Sequence, residues 1–263
     1  MENFTPTVLQ TEALSVGYTS NKGHLVIAER VNLNLKKGEL VGLVGANGIG
    51  KSTMLRTLAT IQEPLGGKIK INSQNLETYT PQELAKVLSL VLTEQLIAKN
   101  LSVFEMIALG RQPYTNWVGK LTKDDVAFIE SAIERTNLSK LKHRKCYELS
   151  DGQLQKVMIA RALAQDTQLI ILDEPTTHLD MYHKAYILKL LQNICKKTGK
   201  TILFSSHEID LAIQLCDKMV VMTPTGIIAD APCKLIEQGI FKSLFPDDLI
   251  TFDDQTGSFR VRK

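Results

Sequence analysis

The chain has 263 residues, of which 44% are apolar and 22% charged, and 31 Lys and Arg against 28 Asp and Glu leave a formal charge of +3. This composition excludes a disordered chain, and so small a charge gives no reason to expect nucleic-acid binding. No window approaches the roughly 18 consecutive apolar residues of a membrane span, and the N-terminus lacks the pattern of a secretory signal, so we expect neither an integral membrane protein nor a secreted one.

Strands are predicted for the N-terminal part of the chain. Apolar and polar residues alternate over 31–36, which is the period of a half-buried strand. Residues 40–44 form an almost continuous apolar run, as expected of a parallel strand that is buried on both faces. Gly66 and Gly67, which precede the alternating residues 68–71, predict a hairpin turn.

Helices are predicted in the middle of the chain, and strands alternate with helices in the last third. Ser102 with Glu105, and Thr122 with Asp125, form capping patterns before apolar residues at helical spacing. Beyond them we predict strands over 168–173, 201–206 and 218–222, and helices over 181–199 and 208–216. This alternation predicts an α/β fold with a mostly parallel sheet covered on both faces, interrupted by an inserted helical subdomain near 95–165.

The cysteines are expected to be free thiols. All four are scattered and form no CxxC pair, which disfavours both a disulfide scaffold and a zinc or redox site. His178 and His183 are five residues apart, whereas a helical metal pair needs a spacing of four, so we expect no metal ligation there.

A phosphate-binding loop is predicted at residues 45–52. Their sequence, GANGIGKS, matches G-x-x-x-x-G-K-[ST] between the predicted buried strand and a helical stretch over 52–60. The glycines allow backbone N–H groups to surround phosphate oxygens, and the following helix presents its positive end to the anion. Lys51 would bring a mobile positive charge to the β- and γ-phosphates, and Ser52 a hydroxyl ligand for Mg²⁺.

Two acidic residues follow the apolar run 169–172 of the predicted strand. The apolar run ends in Asp173 and Glu174, at the carboxyl edge of the sheet, where ligands bind in open α/β folds. Asp173 would hold Mg²⁺ directly or through water, and Glu174 is a candidate general base for an attacking water.

A second phosphate-binding helix end is predicted at residues 149–153, LSDGQ. Ser150 can cap the helix that follows, and Gly152 permits the close approach of an anion. The segment lies far from Lys51 in the sequence and belongs to the predicted helical insert. Such a remote site makes most sense if it serves the nucleotide of another copy of the chain.

With these motifs the chain resembles the ATP-binding cassette (ABC) ATPases. LSDGQ is similar to their signature motif, usually LSGGQ, and residues 45–53 and 169–174 are similar to their Walker A loop and Walker B strand. Tyr18 resembles the aromatic that stacks on adenine, residues 178–180 (HLD) the D-loop, and His207 the switch histidine. Each of these residues has an ordinary alternative: a strand aromatic for Tyr18, a surface acid for Asp180 of the D-loop, and a helix cap for His207.

The resemblance implies a P-loop NTPase (RecA-like) core with a mostly parallel sheet, an N-terminal antiparallel β subdomain and an inserted α-helical subdomain. It also implies one nucleotide-binding domain over residues 1–263, with the helical subdomain at about 95–165. Residues from about 236 to 263 form an appended element for which the sequence indicates no function.

The family mechanism implies that two copies face each other head to tail and sandwich two ATP molecules. The residues that would contact ATP are Tyr18, Gly45, Ala46, Asn47, Gly48, Ile49, Gly50, Lys51, Ser52, Thr53, Gln95, Ser150, Gly152, Gln153 and Asp180. The residues that would hold Mg²⁺ are Ser52, Asp173 and Gln95. The residues that would carry catalysis are Glu174, His207 and Lys51.

Two positions depart from the family pattern. Asp151 replaces the second glycine of the signature motif, and we expect its side chain to point away from the phosphate. The glutamine of the family's Q-loop, which ligates Mg²⁺ and couples to the membrane partner, falls near SLVLTEQ, where a count without a gap gives Thr93 or Glu94. We choose Gln95 because its amide has the required chemistry.

The resemblance extends to a subfamily. Residues 101–119 contain the pattern ALGRxPY, which is similar to the ATPases of importers for iron–siderophores, haem and cobalamin. It implies a homodimer on a separate polytopic permease at the cytoplasmic face of the inner or plasma membrane, with a substrate-binding protein as an indirect partner and no nucleic acid. No residue indicates which of these substrates is imported.

Two other functions compete with an importer ATPase. A non-transport ABC ATPase of DNA repair or translation typically carries two cassettes or a long coiled-coil insertion, whereas this chain has one cassette and no heptad run. A P-loop nucleotide kinase would need neither LSDGQ nor a switch histidine. We therefore predict the ATP-hydrolysing subunit of an importer.

Overall fold

The computed structural model describes residues 5–20, 23–92, 100–245 and 249–262. The strands are β1 (Thr7–Ser20), β2 (Gly23–Val31), β3 (Asn34–Lys36), β4 (Leu40–Gly45), β5 (Gly66–Ile71), β6 (Gln74–Asn75), β7 (Leu88–Val91), β8 (Leu169–Leu172), β9 (Thr201–Ser205), β10 (Lys218–Thr223), β11 (Gly226–Asp230), β12 (Ile250–Asp253) and β13 (Ser258–Val261). The α-helices are α1 (Lys51–Leu58), α2 (Pro81–Leu84), α3 (Val103–Ala108), α4 (Lys123–Arg135), α5 (Asp151–Ala164), α6 (Met181–Thr198), α7 (Ile209–Leu215) and α8 (Pro232–Glu237). Short 3₁₀ helices cover Leu76–Thr78, Leu109–Tyr114, Ser139–Leu141, Cys146–Glu148 and Ile240–Leu244.

A six-stranded sheet in the order β11-β10-β4-β9-β8-β7 forms the centre of the molecule. Its neighbouring strands are parallel except for β10 and β11. Every residue of β4, β8 and β9 is buried, as their apolar runs predict for strands covered on both faces. The predicted strands and helices of the last third are all present, and the carboxyl ends of β4, β8 and β9 therefore meet at one edge.

The N-terminal strands form a separate antiparallel sheet, in the order β2-β1-β5-β6 with β3 also paired to β1. The predicted alternation over 31–36 is present, but the run is not one strand. The run is interrupted at Asn32 and Leu33, where side chains take part in hydrogen bonds that a regular strand would form between backbone groups. The N–H of Leu33 donates to Thr11 Oγ1 at 2.8 Å, and the N–H of Ala13 donates to Asn32 Oδ1 at 2.9 Å.

The prediction of a hairpin turn at Gly66 and Gly67 is wrong. Both glycines lie within β5, where Gly66 pairs with Ser15 of β1. Gly67 has a φ of 84°, and a Cβ there would lie 2.4 Å from the carbonyl oxygen of Ala13, so only glycine fits beside this irregular part of β1. The turn that joins β5 to β6 is made instead by residues 72 and 73, both of which have positive φ.

The helices α3, α4 and α5 lie between β7 and β8 and form the inserted helical subdomain. Both predicted capping boxes are present. Ser102 Oγ accepts from the N–H of Glu105 at 3.2 Å, and Thr122 Oγ1 accepts from the N–H of Asp125 at 3.1 Å. The buried faces of the three helices share one apolar cluster with α6 and the adjacent face of the core sheet.

A buried ion pair reinforces this subdomain. Arg111 Nε donates to Asp125 Oδ1 at 2.9 Å, and Arg111 Nη1 donates to the carbonyl oxygen of Ala164 at 2.8 Å. The guanidinium also lies over the rings of Tyr114 and Phe128, at 4.0 and 4.3 Å from their centroids. The arginine of the ALGRxPY pattern therefore stabilises the subdomain from inside.

The C-terminal residues pack against α7 and β10. The helix α8, the 3₁₀ helix at 240–244 and the β12–β13 hairpin contribute Leu235, Phe241 and Phe252 to an apolar cluster with Ile209 of α7. None of the helices in the four described ranges has the length and apolar character that a membrane crossing requires.

Candidate functional site

The loop between β4 and α1 has the backbone that its glycines allow. Gly48 and Gly50 have φ values of 75° and 105°, which residues with a Cβ rarely adopt. At Gly50, a Cβ would also lie 2.2 Å from Cγ2 of Ile27 in β2. The loop leads directly into α1, which begins at Lys51 and has no acidic residue in its first turn. The helix N-terminus and the loop N–H groups therefore present a positive potential to the same space.

Lys51 points back into this loop. Its side chain is buried, and Nζ donates to the carbonyl oxygens of Gly45 and Ala46 at 3.1 and 3.2 Å. Burial lowers the pKa of Lys51, and the carboxylates of Glu174 and Asp173 oppose this in part. A phosphate oxygen would be a stronger partner for this ammonium than two neutral carbonyl oxygens, because it is charged.

A serine of β9 orients both acidic residues that follow β8. Ser205 Oγ donates to Asp173 Oδ1 at 2.7 Å and accepts the N–H of Glu174 at 2.8 Å. Ser52, in the first turn of α1, donates to the same oxygen of Asp173 at 3.1 Å. The carboxylate of Asp173 is thereby directed at the start of α1.

The oxygens of Ser52 and Asp173 fit a magnesium ion. Mg²⁺ prefers oxygen ligands, and a hydroxyl with one carboxylate leaves positions for phosphate oxygens and water. Adjacent ligands of an octahedral ion with bonds of 2.0–2.1 Å are about 3 Å apart. The two oxygens lie 3.1 Å apart, so little movement is needed for both to contact one ion.

Glu174 is fixed by two side chains. Its Oε1 lies 2.7 Å from Nε2 of His207, and its Oε2 accepts from Thr177 Oγ1 at 3.0 Å. The backbone of Glu174 has a φ of 48°, a strained conformation for a residue with a Cβ, which the surrounding structure must stabilise. Strain of this kind is concentrated at functional sites.

Several of these groups line one open cavity of about 380 Å³. The lining residues are Asn47, Gly48, Gly50, Lys51, Ser52, Thr53, Glu174 and His207. At the side of the loop, Tyr18 is 45% exposed, and its hydroxyl lies 2.7 Å from Thr53 Oγ1. The cavity combines backbone N–H groups, an ammonium and a carboxylate, which are the components of a site for phosphoryl transfer.

A second group of predicted residues lies where α5 and α6 begin. Ser150 and Gln153 form a capping box, in which each side chain accepts the other's backbone N–H at 3.4 and 3.2 Å. Gly152 is buried, and a Cβ there would lie 3.2 Å from Cδ2 of His183. Asp180 caps α6 and accepts the N–H of His183 at 2.8 Å. Across the described ranges, these residues do not line the cavity at the α1 loop.

The sequence comparison identifies the family of the chain. Residues 28–177, more than half of the chain, match the family described as ABC transporter. This chain belongs to the ABC transporter family. As a member it is an ATPase, and its P-loop NTPase fold is that of the family's ATP-binding cassettes.

Two curated relatives and one solved structure illustrate the similarity. The achromobactin transport ATP-binding protein CbrD of Dickeya dadantii (strain 3937) is 33% identical over 240 residues, which are 91% of this chain and 88% of the relative. The iron(3+)-hydroxamate import ATP-binding protein FhuC of Bacillus subtilis (strain 168) is 34% identical over 241 residues, with the same two coverages of 91% and 88%. The structure of cbiO1 from Clostridium perfringens, part of the ABC transporter complex cbiONQ, is 29% identical with a TM-score of 0.77 and coverages of 89% and 92%.

The remaining predicted residues have the following positions. Ala46 and Ile49 belong to the turn of the Walker A loop, where the N–H of Ile49 donates to the carbonyl oxygen of Ala46 at 3.4 Å. Asp151 is exposed at the first position of α5, and its orientation relative to a phosphate stays a prediction. Gln95 lies outside the described residues, as do its two alternatives at 93 and 94.

Sequence reasoning missed two residues of this ATPase site. Ser205 precedes the switch histidine by two positions, and the β8–β9 register places it beside Asp173. The serine pair in FSSHEID was visible in the sequence, but its partner depends on which strands are neighbours. Thr177, which bonds to Glu174, lies three residues after it in a turn, a spacing that gave no recognisable signal.

Proposed function

We propose that this ATPase drives an importer, working as a head-to-tail homodimer on a separate polytopic permease at the cytoplasmic face of the membrane. A substrate-binding protein would deliver the substrate to that permease. The observation that carries the catalytic part is the convergence of Lys51, Ser52, Glu174 and His207 on one cavity. Each of the four supplies a different requirement of phosphoryl transfer.

In this proposal Glu174 is the general base. A water molecule attacks the γ-phosphate, the bond to ADP breaks, and the water's proton passes to the carboxylate. Nε2 of His207, now 2.7 Å from Glu174 Oε1, would turn to the γ-phosphate when ATP binds and so release that oxygen. Thr177 would remain bonded to the other oxygen and preserve the orientation of the carboxylate.

Binding of ATP would rest on the Walker A loop and on Tyr18. Lys51 would exchange the carbonyl oxygens of Gly45 and Ala46 for oxygens of the phosphates. The exposed ring of Tyr18 would stack on adenine, and its contact with Thr53 keeps it next to the loop. The nucleotide would then extend across one face of the molecule, from the ring of Tyr18 to the carboxylate of Glu174.

The ion of this site would be Mg²⁺. Ser52 and Asp173 would hold it, and Gln95 is the third ligand that the sequence predicts. When bound, the ion neutralises part of the charge on the phosphates. Ser205 would keep Asp173 aligned by its hydrogen bond to Oδ1.

The residues at the starts of α5 and α6 would serve the other copy. Ser150, Gly152 and Gln153 form a helix end of the phosphate-binding type, and within the described residues they line no part of the chain's own cavity. A head-to-tail dimer would give them a nucleotide, because the signature motif of one copy would then face the Walker A loop of the other. Asp180 of the D-loop lies beside the signature motif and would enter the same interface.

A groove at the ALGRxPY pattern is the proposed docking site for the permease. It has a volume of about 460 Å³, and its lining residues are Gln82, Ala85, Leu109, Gly110, Gln112, Pro113, Arg161 and Gln165. A Cβ at Gly110 would lie 2.3 Å from the carbonyl oxygen of Arg161, so glycine is required for the close packing on α5. The pattern thus shapes this surface through Gly110 and through the internal ion pair of Arg111.

The proposed substrate is an iron–siderophore. FhuC is by name an import protein for iron(3+)-hydroxamate, and CbrD a transport protein for achromobactin. These names favour transport over DNA repair or translation. Haem and cobalamin are the alternatives that the ALGRxPY pattern leaves open.

The proposed domain organisation is one nucleotide-binding domain over residues 1–263. The helices α3 to α5 support a helical subdomain at about 95–165. The 3₁₀ helix at 240–244 and the β12–β13 hairpin support an appended element at about 236–263.

The test is to reconstitute the chain in proteoliposomes with its candidate permease, which is to be sought among the neighbouring genes. Uptake of a labelled iron–siderophore should depend on ATP, should be lost with Glu174→Gln, and should persist with Glu134→Gln, which changes an exposed glutamate away from the site. If haem or cobalamin is taken up and the iron–siderophore is not, the proposed substrate is wrong. Absence of ATP-dependent uptake of all three would contradict an importer of this subfamily.

A further inference from the structure

The first turn of α6 contains His183, which forms hydrogen bonds with Asp180 of the D-loop. Nδ1 of His183 lies 2.9 Å from both carboxylate oxygens of Asp180. Hydrogen bonds from the backbone N–H and then the ring of His183 lower the pKa of Asp180, so the carboxylate is ionised and only accepts. Nδ1 therefore carries the proton, and the imidazole is held in one orientation.

The other edge of this imidazole lies against the signature motif. A Cβ on Gly152 would be 3.2 Å from Cδ2 and 3.7 Å from Cγ of His183, and 3.6 Å from Cδ2 of Leu179. The ring thus covers the backbone at the start of α5. Because α5 belongs to the inserted helical subdomain and α6 follows the core strand β8, the contact joins the two parts of the molecule.

The same turn of α6 also reaches the residues beside the cavity. Lys184 forms an ion pair with Glu208, which directly follows the switch residue His207. Thr177, at the start of the segment that leads to α6, bonds to Glu174. A displacement of this turn would therefore act on the signature motif and on the catalytic cavity together.

We propose that His183 is a positioning residue that holds the signature motif in place against the D-loop. This inference rests on the head-to-tail dimer of the proposed function. In that dimer, Ser150 and Gly152 complete the ATP site of the other copy, so a loose signature motif leaves that site incomplete. In this role His183 contacts the D-loop and the signature motif, not the nucleotide, and so acts through Asp180 and Gly152.

The experiment compares His183→Ala, His183→Asn and His143→Ala, the last of which removes an exposed histidine that takes no part in these contacts. We expect His183→Ala to lower kcat by about ten- to hundredfold, the cost of a small misplacement at a catalytic site. The affinity of the monomer for ATP should not change, because the Walker A loop is separate. His183→Asn should recover most of the activity, since its amide nitrogen can donate to Asp180, and His143→Ala should behave as wild type.

Dimer formation supplies the second measurement. ATP should drive the Glu174→Gln variant into a dimer in size-exclusion chromatography, and adding His183→Ala should weaken that dimer while adding His183→Asn should not. Normal dimerisation and turnover with His183→Ala would overturn the role of His183 alone. Failure of Glu174→Gln itself to dimerise would overturn the proposed head-to-tail dimer, and with it the inference about His183.

A purely structural role would give a different pattern. The melting temperature and the affinity for ATP would then fall together with kcat in both His183 variants, which would overturn the proposal. If His183→Ala does not fold, His183→Leu, which fills the space without donating, is compared with His183→Asn. We expect the asparagine variant to be active and the leucine variant impaired, and equal activity of the two would overturn the proposal.

Discussion

Ser205 forms hydrogen bonds with both acidic residues that follow β8, Asp173 and Glu174. Its hydroxyl donates to Asp173 and accepts from the backbone of Glu174, at 2.7 and 2.8 Å. The side chain itself is buried at the end of β9, so water has no ready access to replace it. A single small hydroxyl thus aligns the proposed magnesium ligand and the proposed base.

Ser205→Ala should therefore lower kcat more than it lowers the affinity for ATP. We expect a loss in kcat of about tenfold or more, together with a loss in stability of about 1–3 kcal/mol, because the N–H of Glu174 loses its partner. Steady-state ATP hydrolysis and urea unfolding measure the two effects. The control is Ser139→Ala at an exposed position, and equal kcat values for the two variants would show that Ser205 does not align the acids.

Lys51 is the side chain that should matter most for binding. Lys51→Ala should weaken the affinity for ATP by about ten- to hundredfold, since a hydrogen bond to a charged group contributes about 1.5–3 kcal/mol. A titration with a fluorescent ATP analogue measures this affinity, and Lys140→Ala, on the exposed surface, is the matched control. Wild-type affinity in Lys51→Ala would contradict the assignment of the phosphate loop.

At the scale of elements, the Arg111–Asp125 pair joins the 3₁₀ helix at 109–114 to α4. Both side chains are about 95% buried or more. Removing one partner of a buried ion pair leaves the other charge without its counter-ion, so Asp125→Ala should cost about 3–5 kcal/mol of stability. Asp124→Ala, one residue earlier and exposed, should cost little, and equal urea midpoints of the two variants would contradict this role of the pair.

The difference in stability between Asp125→Ala and Asp124→Ala should depend on pH. The hydroxyl of Thr122 is the largest influence that lowers the pKa of Asp125, and Arg111 lowers it further. A carboxyl whose folded pKa is below its unfolded value stabilises the protein above about pH 4, and this contribution is lost as the pH falls through the folded pKa. The difference in stability between the two aspartate variants should therefore narrow in acid, and a difference that widens would contradict the ionised pair.

At the scale of the whole molecule, burial divides the four free cysteines. Cys233 is exposed, whereas Cys146 and Cys195 are buried and Cys216 is partly so. Burial raises the pKa of Cys195 to about 12 and also raises that of Cys216, which suppresses the reactive thiolate. The native protein should thus show one fast thiol toward a disulfide reagent and four after unfolding. Cys233→Ser should remove the fast phase, and its persistence would contradict this distribution.

Local sequence signals were sufficient for most of the architecture. The continuous apolar run of β8 and the almost continuous run of β4 identified these strands, because a strand buried on both faces needs few polar residues. The pairs Ser102–Glu105 and Thr122–Asp125 marked the starts of α3 and α4, because the capping box is a contact between residues three apart.

Features that depend on distant partners were not predictable in this way. Gly67 is required by its close approach to β1, not by a turn, and the sequence does not distinguish the two reasons. Ser205 and His183 acquire their contacts only through the neighbouring β8 and the start of α5. In the site, the family motifs predicted the residues that would bind and react, whereas the side chains that orient them emerged from the packing.

The most direct test of the catalytic site is a paired measurement of ATP turnover and ATP binding in Glu174→Gln. General-base catalysis contributes about 10²–10⁴-fold, so kcat should fall by that factor while the affinity for ATP stays at the wild-type value. Glu134→Gln should leave both quantities unchanged. Turnover of Glu174→Gln at the wild-type rate would contradict the assignment of Glu174 as the base and, with it, the proposed use of the cavity.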